Sequence, residues 1–389
     1  MLNSREKSLQ GYFRMALVLA ALGLGSTVAH AQAASDWQRK WEKILGQARS
    51  EAKVMVLGPP GEIVRNALTD GFRRAYPGID FAFAGASGGQ LASKVRAERE
   101  GGVFTVDVVV SGTSTANIYF KPMKALEPIA PALVLPEVVD IGSWRDRTHE
   151  FSDNERKYNL VFGADVYPVA IYDPQQARPD EIDDPYKLLD PKWKGKILIN
   201  DPLPSGPGKG AFRWLWQVLG PEKAQEFFRK IRDQAGTVDR DQRRQVEWIA
   251  QGKYAVLMGP NMPVASQLAQ RGLKFAILPE FKAYGTYITS GYASAVLMNR
   301  APHPNAAKVF LNWLLTREGQ TVWSKSMGQA SRRTDVSTDH LPTYAIPKPG
   351  AMTWSASYKA GDRYWLSYQE ETLHLNPEQE KFLKEHFGR

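Results

Sequence analysis

A glycine-rich turn in the first third of the chain carries the most suggestive chemistry. Residues 85–89, Gly-Ala-Ser-Gly-Gly, match the pattern G-x-S-x-G, which marks the nucleophile elbow of α/β-hydrolases. The local context fits, because residues 81–84 form a short apolar run typical of a strand and residues 89–100 are typical of a helix. Three hypotheses follow: Ser87 is a nucleophile, the turn holds a ligand, or the turn is only structural.

The rest of the sequence argues against a nucleophile at Ser87. A hydrolase of this type needs an acid and a histidine later in the chain, and its elbow normally follows several strands. Only two strands are predicted before Ser87, and no HGGG-type oxyanion loop occurs. The later histidines have no helpful context; they are His149, His303, His340, His374 and His386. We therefore expect no catalytic residue and no enzyme activity.

A ligand-holding turn is the hypothesis that we favour for residues 87–89. Glycines let backbone N–H groups approach an oxygen closely, and the N-terminus of the helix that follows favours negative charge. Glycine also adopts positive φ without strain. Ser87, Gly88 and Gly89 are therefore predicted to contact a ligand.

The N-terminus has the pattern of a secretory signal peptide. Arg5, Lys7 and Arg14 form a positive region, residues 15–28 are apolar, and residues 29–31 read Ala-His-Ala. The apolar run is shorter than the ~20 residues that span a bilayer. We expect residues 1–31 to be removed, with cleavage after Ala31 or Ala33, and the mature protein to be periplasmic.

Composition narrows the class of protein further. The chain has 389 residues, a formal net charge of +9 and no cysteine, so it has no disulfide framework and no thiolate metal site. Basic and acidic residues are interspersed, whereas nucleic-acid binding calls for a concentrated basic stripe. We expect a monomer that binds no nucleic acid.

Strands and helices alternate along the chain in a rhythm typical of two α/β domains. Strands at 53–58, 79–84 and 106–111 are separated by helices, which favours a parallel sheet. A second α/β block is bracketed by two long strand-like stretches, 158–173 and 286–299. The chain is therefore predicted to cross twice between lobes: 35–165 in lobe I, 166–288 in lobe II, and 289–389 in lobe I again with the C-terminal tail.

Two stretches resemble the periplasmic solute-binding proteins of ABC importers, in the branch that contains ferric-iron binders. They are "LLDPKWKGKILINDP" at 188–202 and "SGYASAVLMNRAPHPNAAKVFLNWLLTREGQ" at 290–320. The resemblance implies the two-lobed, type II fold of that class, with a mostly parallel sheet in each lobe and two crossing strands. It also implies one small ligand between the lobes, no cofactor, and a permease in the inner membrane as partner.

The expected ligand contacts lie where predicted strands end, because ligands of parallel sheets sit at the carboxyl ends of the strands. For each turn alone, an ordinary turn or helix cap is equally expected. Tyr167 on the first crossing strand either faces the ligand or packs in the hinge, and Arg240 is either a counter-ion or a solvated arginine. The candidate residues are Pro59, Ser87, Gly88, Gly89, Ser111, Gly112, Thr113, Tyr167, Asp201, Ser205, Gly206, Arg240 and Asn261.

Direct iron coordination is not expected, although an iron or iron-chelate binder of the same fold stays the alternative. The iron binders that the chain resembles carry adjacent tyrosines after the strand that matches "YAVLMG". Here that loop is Gly259-Pro260-Asn261-Met262-Pro263, and no Tyr-Tyr pair occurs in the chain. Asn261 and the Gly/Ser turns suit hydrogen bonds to an organic anion, such as a carboxylate or a phosphonate.

Overall fold

The computed structural model describes residues 36–204, 206–347 and 365–388. The predicted signal peptide and its cleavage site lie outside the described residues, as does Ser205. No helix of the described part of the chain is both long enough and apolar enough to cross a bilayer.

Thirteen α-helices and sixteen strands are the main elements of the described chain. The helices are α1 (36–51), α2 (Glu62–Ala75), α3 (Gly88–Glu100), α4 (Pro136–Val139), α5 (Pro179–Ile182), α6 (Pro207–Leu219), α7 (Pro221–Gln234), α8 (Gln242–Ala250), α9 (Met262–Gln270), α10 (Pro304–Leu315), α11 (Arg317–Met327), α12 (Glu370–Leu373) and α13 (Pro377–Phe387). A π-helix spans Thr115–Phe120. The strands are β1 (Lys53–Gly58), β2 (Asp80–Gly85), β3 (Val108–Ser111), β4 (Leu126–Glu127), β5 (Glu150–Phe151), β6 (Leu160–Val161), β7 (Gly163–Tyr167), β8 (Ala170–Tyr172), β9 (Ile197–Asn200), β10 (Thr237–Asp239), β11 (Val256–Met258), β12 (Ala276–Leu278), β13 (Tyr287–Thr289), β14 (Ser294–Met298), β15 (Ala330–Ser331) and β16 (Trp365–Leu366).

Lobe I is built on a seven-stranded sheet of order β2-β1-β3-β14-β6-β5, with β4 beside β14. Strands β1, β2 and β3 are parallel, and β14 is inserted antiparallel to β3. Helices α10 and α11 return after β14 and pack on α2, where Phe72 lies 5.6 Å from both Phe310 and Trp313 between ring centroids. Late residues therefore complete the core that early residues begin.

Lobe II repeats this arrangement with a five-stranded sheet of order β10-β9-β11-β8-β12. Strands β9, β10 and β11 are parallel, and β8 is inserted antiparallel between β11 and β12. The core under this sheet is aromatic, with Phe212 4.6 Å from Phe228 and 5.4 Å from Trp216 between centroids. The predicted two-lobed α/β fold is confirmed, although each sheet is mixed and contains one strand inserted antiparallel from the crossing segment.

Two short strands, β7 and β13, connect the lobes. They pair antiparallel with Tyr167 opposite Tyr287 and Asp165 opposite Thr289, and β15 and β16 extend this pair to a four-stranded sheet. The two long strands predicted at 158–173 and 286–299 are each broken. Strand β7 is separated from β8 by Pro168, which has no N–H to donate to a ladder, and residues 290–293 form a turn between β13 and β14.

The C-terminal segment spans both lobes. Glu370 of α12 accepts hydrogen bonds from Lys121 at 2.6 Å and from the Asn154 N–H at 2.8 Å, both in lobe I. Arg213 of α6 donates to the Thr372 carbonyl, and α13 packs Phe382, Leu383 and Phe387 into the core of lobe II. The sequence left residues 330–389 without a role, and the structure makes residues 365–388 a third link between the lobes.

We predict that Phe382→Ala destabilises lobe II by about 3–5 kcal/mol, the usual cost of removing a buried phenylalanine ring. Phe382 is 3% exposed and its ring lies 5.5 Å from that of Trp216, so urea unfolding followed by tryptophan fluorescence reports the change. Lys381→Ala is the matched control, because its side chain is exposed and its removal should alter stability by less than ~0.5 kcal/mol. Equal effects of the two substitutions would contradict a core role for α13.

Candidate functional site

The carboxyl edges of both parallel sheets meet the crossing strands. Ser111, the last residue of β3, pairs with Ser294 at the start of β14, directly after the turn from β13. Met258, the last residue of β11, pairs with Ala170 at the start of β8, directly after β7. The loops that follow the parallel strands of the two lobes therefore lie on either side of β7 and β13, and we call this region the interlobe site.

Lobe I contributes three loops that touch one another. The Ala86 N–H donates to the Gly58 carbonyl at 3.0 Å, which joins the loops after β1 and β2. A Cβ on Gly85 would lie 2.5 Å from the carbonyl oxygen of Pro59, so a side chain at residue 85 would separate these loops. Pro59 is buried in this contact and Ser87 is exposed beside it.

Gly88 is required where α3 meets the π-helix. A Cβ on Gly88 would lie 2.2 Å from Oγ1 of Thr115, whereas a Cβ on Gly89 would meet nothing within 4 Å. Neither glycine has a positive φ, so the freedom of glycine to adopt left-handed backbone is not used here. Gly88 instead allows close packing of two helix starts, and Gly89 has no comparable constraint.

Ser87 serves as the N-cap residue of α3. Its N–H and its Oγ both donate to Oε1 of Gln90, at 3.1 and 2.8 Å. Within the described residues no histidine bonds to Ser87. His149, His303, His340 and His386 contact Val138, Asp107, Ser324 and Arg229 respectively.

The loop after β3 packs against the turn that follows β13. The Thr113 N–H faces Oγ of Ser290 at 3.4 Å, and Ser294 Oγ donates to the Ser111 carbonyl at 2.7 Å. A Cβ on Gly112 would lie 2.9 Å from the Gly291 carbonyl oxygen. Ser111, Gly112 and Thr113 thus hold the end of a crossing strand in place.

In lobe II, the two charged candidates neutralise each other. Arg240 Nε lies 2.6 Å from Oδ2 of Asp201, whose carboxylate is almost fully buried while the arginine side chain is 53% exposed. The other carboxylate oxygen of Asp201 accepts the Leu203 N–H at 2.9 Å. Arg240 is therefore exposed to solvent, as one of the two interpretations of the sequence predicts, but it is paired with Asp201.

Both polar atoms of the Asn261 side chain form hydrogen bonds within lobe II. Its Oδ1 caps α9 by accepting the Val264 N–H at 3.1 Å, and its Nδ2 donates to Gln242 Oε1 at 2.7 Å. A Cβ on Gly206, at the start of α6, would lie 3.9 Å from Nε2 of the same glutamine. The loops after β10 and β11 and the start of α6 therefore meet at Gln242, a residue that the sequence analysis did not select.

Tyr167 packs between the lobes. Its ring stacks on Tyr287 with 5.3 Å between centroids, and both rings belong to the hydrophobic core of lobe II, against which Met262 of α9 packs. Burial and the neighbouring Tyr287 raise the pKa of Tyr167 well above its ordinary value. Of the two expectations for this residue, the structure shows the packed tyrosine.

Asp165 is the functional candidate that the sequence analysis missed. It lies two residues before Tyr167, so both side chains point to the same face of β7. Its Oδ2 accepts a hydrogen bond from Gln329 Nε2 at 2.5 Å, and burial raises its pKa to about 7. Within the described residues no lysine, arginine or histidine forms an ion pair with it. The available signal was an acidic residue inside the otherwise apolar stretch of residues 160–172.

The residues around Asp165 are aromatic or neutral. Tyr292 lies in the turn between β13 and β14, and Tyr344 lies in a short segment that packs on β7; both are only half-buried. The charge of Asp165 raises the pKa of Tyr344 in addition to the effect of burial. No group of three or more histidine, aspartate or glutamate side chains that could hold a metal ion occurs among the residues that the structure describes.

We predict that Gly88→Ala weakens folding by forcing α3 away from the π-helix, and that the double variant Gly88→Ala/Thr115→Ala recovers stability. Removing Oγ1 leaves the Cβ of residue 115 as the nearest atom, at an ordinary contact distance of 3.5 Å. Urea unfolding of the single and double variants measures the coupling between the two sites, expected to exceed ~0.5 kcal/mol.

Gly89→Ala is the matched control for this cycle. Its Cβ enters open space within α3, and alanine is a better helix former than glycine by up to ~1 kcal/mol. Gly89→Ala should therefore leave stability unchanged or raise it. Destabilisation by Gly89→Ala as large as that by Gly88→Ala would show that the contact with Thr115 is not the cause.

We predict that Asp165→Asn removes a loss of stability that the wild-type protein suffers as pH rises. A raised pKa means that folded Asp165 keeps its proton between the ordinary value of 3.8 and about 7, so stability falls as pH rises through this window. Thermal unfolding at pH 5 and pH 8 without ligand should show the variant gaining at least ~1 kcal/mol over wild type at the higher pH, since one pKa unit corresponds to ~1.4 kcal/mol. If the stabilities of wild type and variant change equally between pH 5 and pH 8, the pKa of Asp165 is not raised in the folded protein.

Comparison with solved structures gives the same fold in proteins of low sequence identity. A Trichodesmium protein (IdiA, FutA) in complex with iron and citrate superposes with a TM-score of 0.64 at 17% identity, covering 86% of this chain and 99% of that one. AfuA from Actinobacillus pleuropneumoniae, with fructose-6-phosphate bound, gives 0.61 at 17% identity, covering 86% and 97%. A substrate-binding protein of an ABC transporter from Agrobacterium tumefaciens gives 0.63 at 14% identity, covering 87% and 94%.

Sequence comparison identifies the family. No curated protein matches the chain significantly. The profile described as "Bacterial extracellular solute-binding protein" matches residues 67–352, a span that includes the parallel strands of lobe II, both crossing strands and the return helices α10 and α11. The two mixed α/β lobes, whose strand ends face a pair of crossing strands, agree with this match. The chain belongs to the bacterial extracellular solute-binding protein family.

Proposed function

We propose that this protein is the periplasmic receptor of an ABC importer, which captures a small solute at the interlobe site and delivers it to a permease in the inner membrane. The observation that carries the proposal is the meeting of both sheets' carboxyl edges at β7 and β13, because ligands of parallel α/β sheets bind at that edge. The predicted signal peptide of residues 1–31 supports the location.

The mechanism that fits this architecture is hinge closure. The lobe boundaries proposed from the sequence, 165/166 and 288/289, fall within or at the end of β7 and β13. A solute that contacts both lobes favours the closed state only by its difference in affinity for the closed and open states. Contacts from one lobe alone would bind the solute without driving closure.

The proposed contacts of lobe I suit an oxygen-rich, anionic part of the solute. Ser87 caps the N-terminus of α3, and Gly88 and Gly89 open that helix without side chains, so its first N–H groups can face a negative charge. In lobe II, Arg240 is half exposed and already paired with Asp201. Lobe II therefore offers a weaker anion site than an unpaired arginine would.

Neither alternative activity has comparable support. A hydrolase would need a base at Ser87. Four of the five described histidines, all but His374, contact other residues, and none of the five bonds to Ser87. An iron receptor would use several anionic oxygens, since Fe(III) is a hard cation, and the loop at Gly259–Pro263 holds no tyrosine pair. We propose a monomeric binding protein without catalytic activity, metal cofactor or nucleic-acid partner.

Native mass spectrometry of the mature protein, isolated from a bacterial periplasm without denaturation, tests this function. We expect a stoichiometric small-molecule adduct that disappears after unfolding and refolding, and solution scattering should show a smaller radius of gyration when the adduct is restored. Labelling of Ser87 by a fluorophosphonate would support the hydrolase instead. A tyrosinate absorption band that grows with added ferric citrate would support the iron receptor.

A further inference from the structure

Among the residues that the structure describes, no lysine, arginine or histidine forms an ion pair with Asp165. An enclosed carboxylate without a cation is costly, and proteins normally pair such groups or satisfy them with several hydrogen bonds. The hydrogen bond that Asp165 accepts comes from a neutral amide, that of Gln329. As a residue, Asp165 is nevertheless only half-buried.

The backbone around Asp165 is arranged to leave this carboxylate room. Gly291 has φ of +51°, in the left-handed region, and a Cβ there would lie 2.2 Å from Oδ2 of Asp165. The Gly291 N–H is directed away to Oγ1 of Thr289 at 2.8 Å. The turn after β13 thus passes close to the carboxylate without donating to it.

Aromatic rings complete the surroundings. Tyr167 lies on the same face of β7, and Tyr292 and Tyr344 belong to the two segments that pack beside it. A carboxylate with neighbouring aromatic rings is the chemistry that recognises an organic cation, through an ion pair and cation–π contacts. A metal ion fits less well, because no group of three or more histidine, aspartate or glutamate side chains that could hold one occurs among the described residues.

We propose that Asp165 binds a positively charged nitrogen group of the transported solute, an ammonium or a guanidinium. This inference rests on the proposed receptor function and narrows its solute class: the anionic part faces the N-terminus of α3, and the cationic part faces Asp165. Because β7 joins the lobes, an ion pair at Asp165 places the solute at the hinge. The Gln329 amide positions the carboxylate.

Three variants separate charge recognition from a structural role. Asp165→Asn removes the charge but keeps an oxygen that can accept the bond from Gln329. Gln329→Leu removes that donor and keeps the charge; it also deprives Trp323 Nε1 of its acceptor, so its stability must be measured as well. Asp140→Asn is the matched control, an exposed aspartate of lobe I whose capping bond to the Gly142 N–H an asparagine can make.

The test measures calorimetric or thermal-shift binding at pH 8 of putrescine, choline and L-arginine. The uncharged analogues 1,4-butanediol and 3,3-dimethylbutan-1-ol and the anion succinate serve as comparisons, together with any solute that co-purifies. We expect a solute with a basic nitrogen to bind wild type at least tenfold more tightly than its uncharged analogue. Asp165→Asn should lose at least tenfold in affinity, while Asp140→Asn and folded Gln329→Leu retain binding.

Binding of the cation should also strengthen as pH rises through about 7, because protons compete for the carboxylate. The other groups facing Asp165 do not titrate in this range, since burial raises the pKa of the tyrosines and the remaining neighbours are uncharged: Tyr167, Tyr292 and Tyr344, with Gln329 and Thr289. If the affinity of Asp165→Asn for the cation increased with pH in the same way, the inference would be contradicted.

The remaining outcomes distinguish the two proposals. If succinate or a co-purified anion without basic nitrogen binds wild type and Asp165→Asn equally, the receptor stands and the cation site is wrong. A ferric tyrosinate band that depends on Asp165 would also overturn the cation site, in favour of a metal site. If neither a co-purified solute nor any probe binds, the receptor function and the cation site both fail.

Discussion

The antiparallel pairing of β7 with β13 is the constraint on which the rest of the structure depends. Its register places Tyr167 opposite Tyr287 and Asp165 opposite Thr289, and a slip of β7 by one residue would turn both of its named side chains to the other face. The same pairing positions β8 to enter the sheet of lobe II and β14 to enter that of lobe I. One short ladder therefore sets both the composition of the interlobe site and the way each sheet is closed.

Periodicity predicted most of the fold because the lobes bury regular elements. The strand at 53–58 is visible as an apolar run, and the helices at 62–75 and 221–234 are visible as amphipathic repeats. Burial of these elements creates those patterns. The crossing strands were predicted too long, since nothing in their apolar composition shows that Pro168 and the turn at 290–293 interrupt pairing. Local composition reports burial well and strand breaks poorly.

The sequence predicted which loops lie at the carboxyl edges of the sheets better than it predicted what the side chains of those loops do. The turns selected from the sequence do lie at the carboxyl edges of the sheets, but Asn261 is occupied as a helix cap and Asp201 is paired with Arg240. Such pairings join residues that are distant in sequence, and a single chain carries no signal for them. Asp165 was visible as an acidic residue in an apolar stretch. Its significance depends on the lack of an ion-pair partner among the residues that the structure describes, which only the folded arrangement reveals.

The placement of the last helices has a consequence for how the chain folds during export. Lobe I completes its core with α10 and α11, and lobe II completes its own with Phe382 and its neighbours on α13. Because chains emerge from their N-terminus, neither lobe can bury its full aromatic core until the final quarter of the polypeptide has arrived. Removing the C-terminal residues from 377 onwards would therefore leave the aromatic core of lobe II open, although those residues lie far from it in sequence.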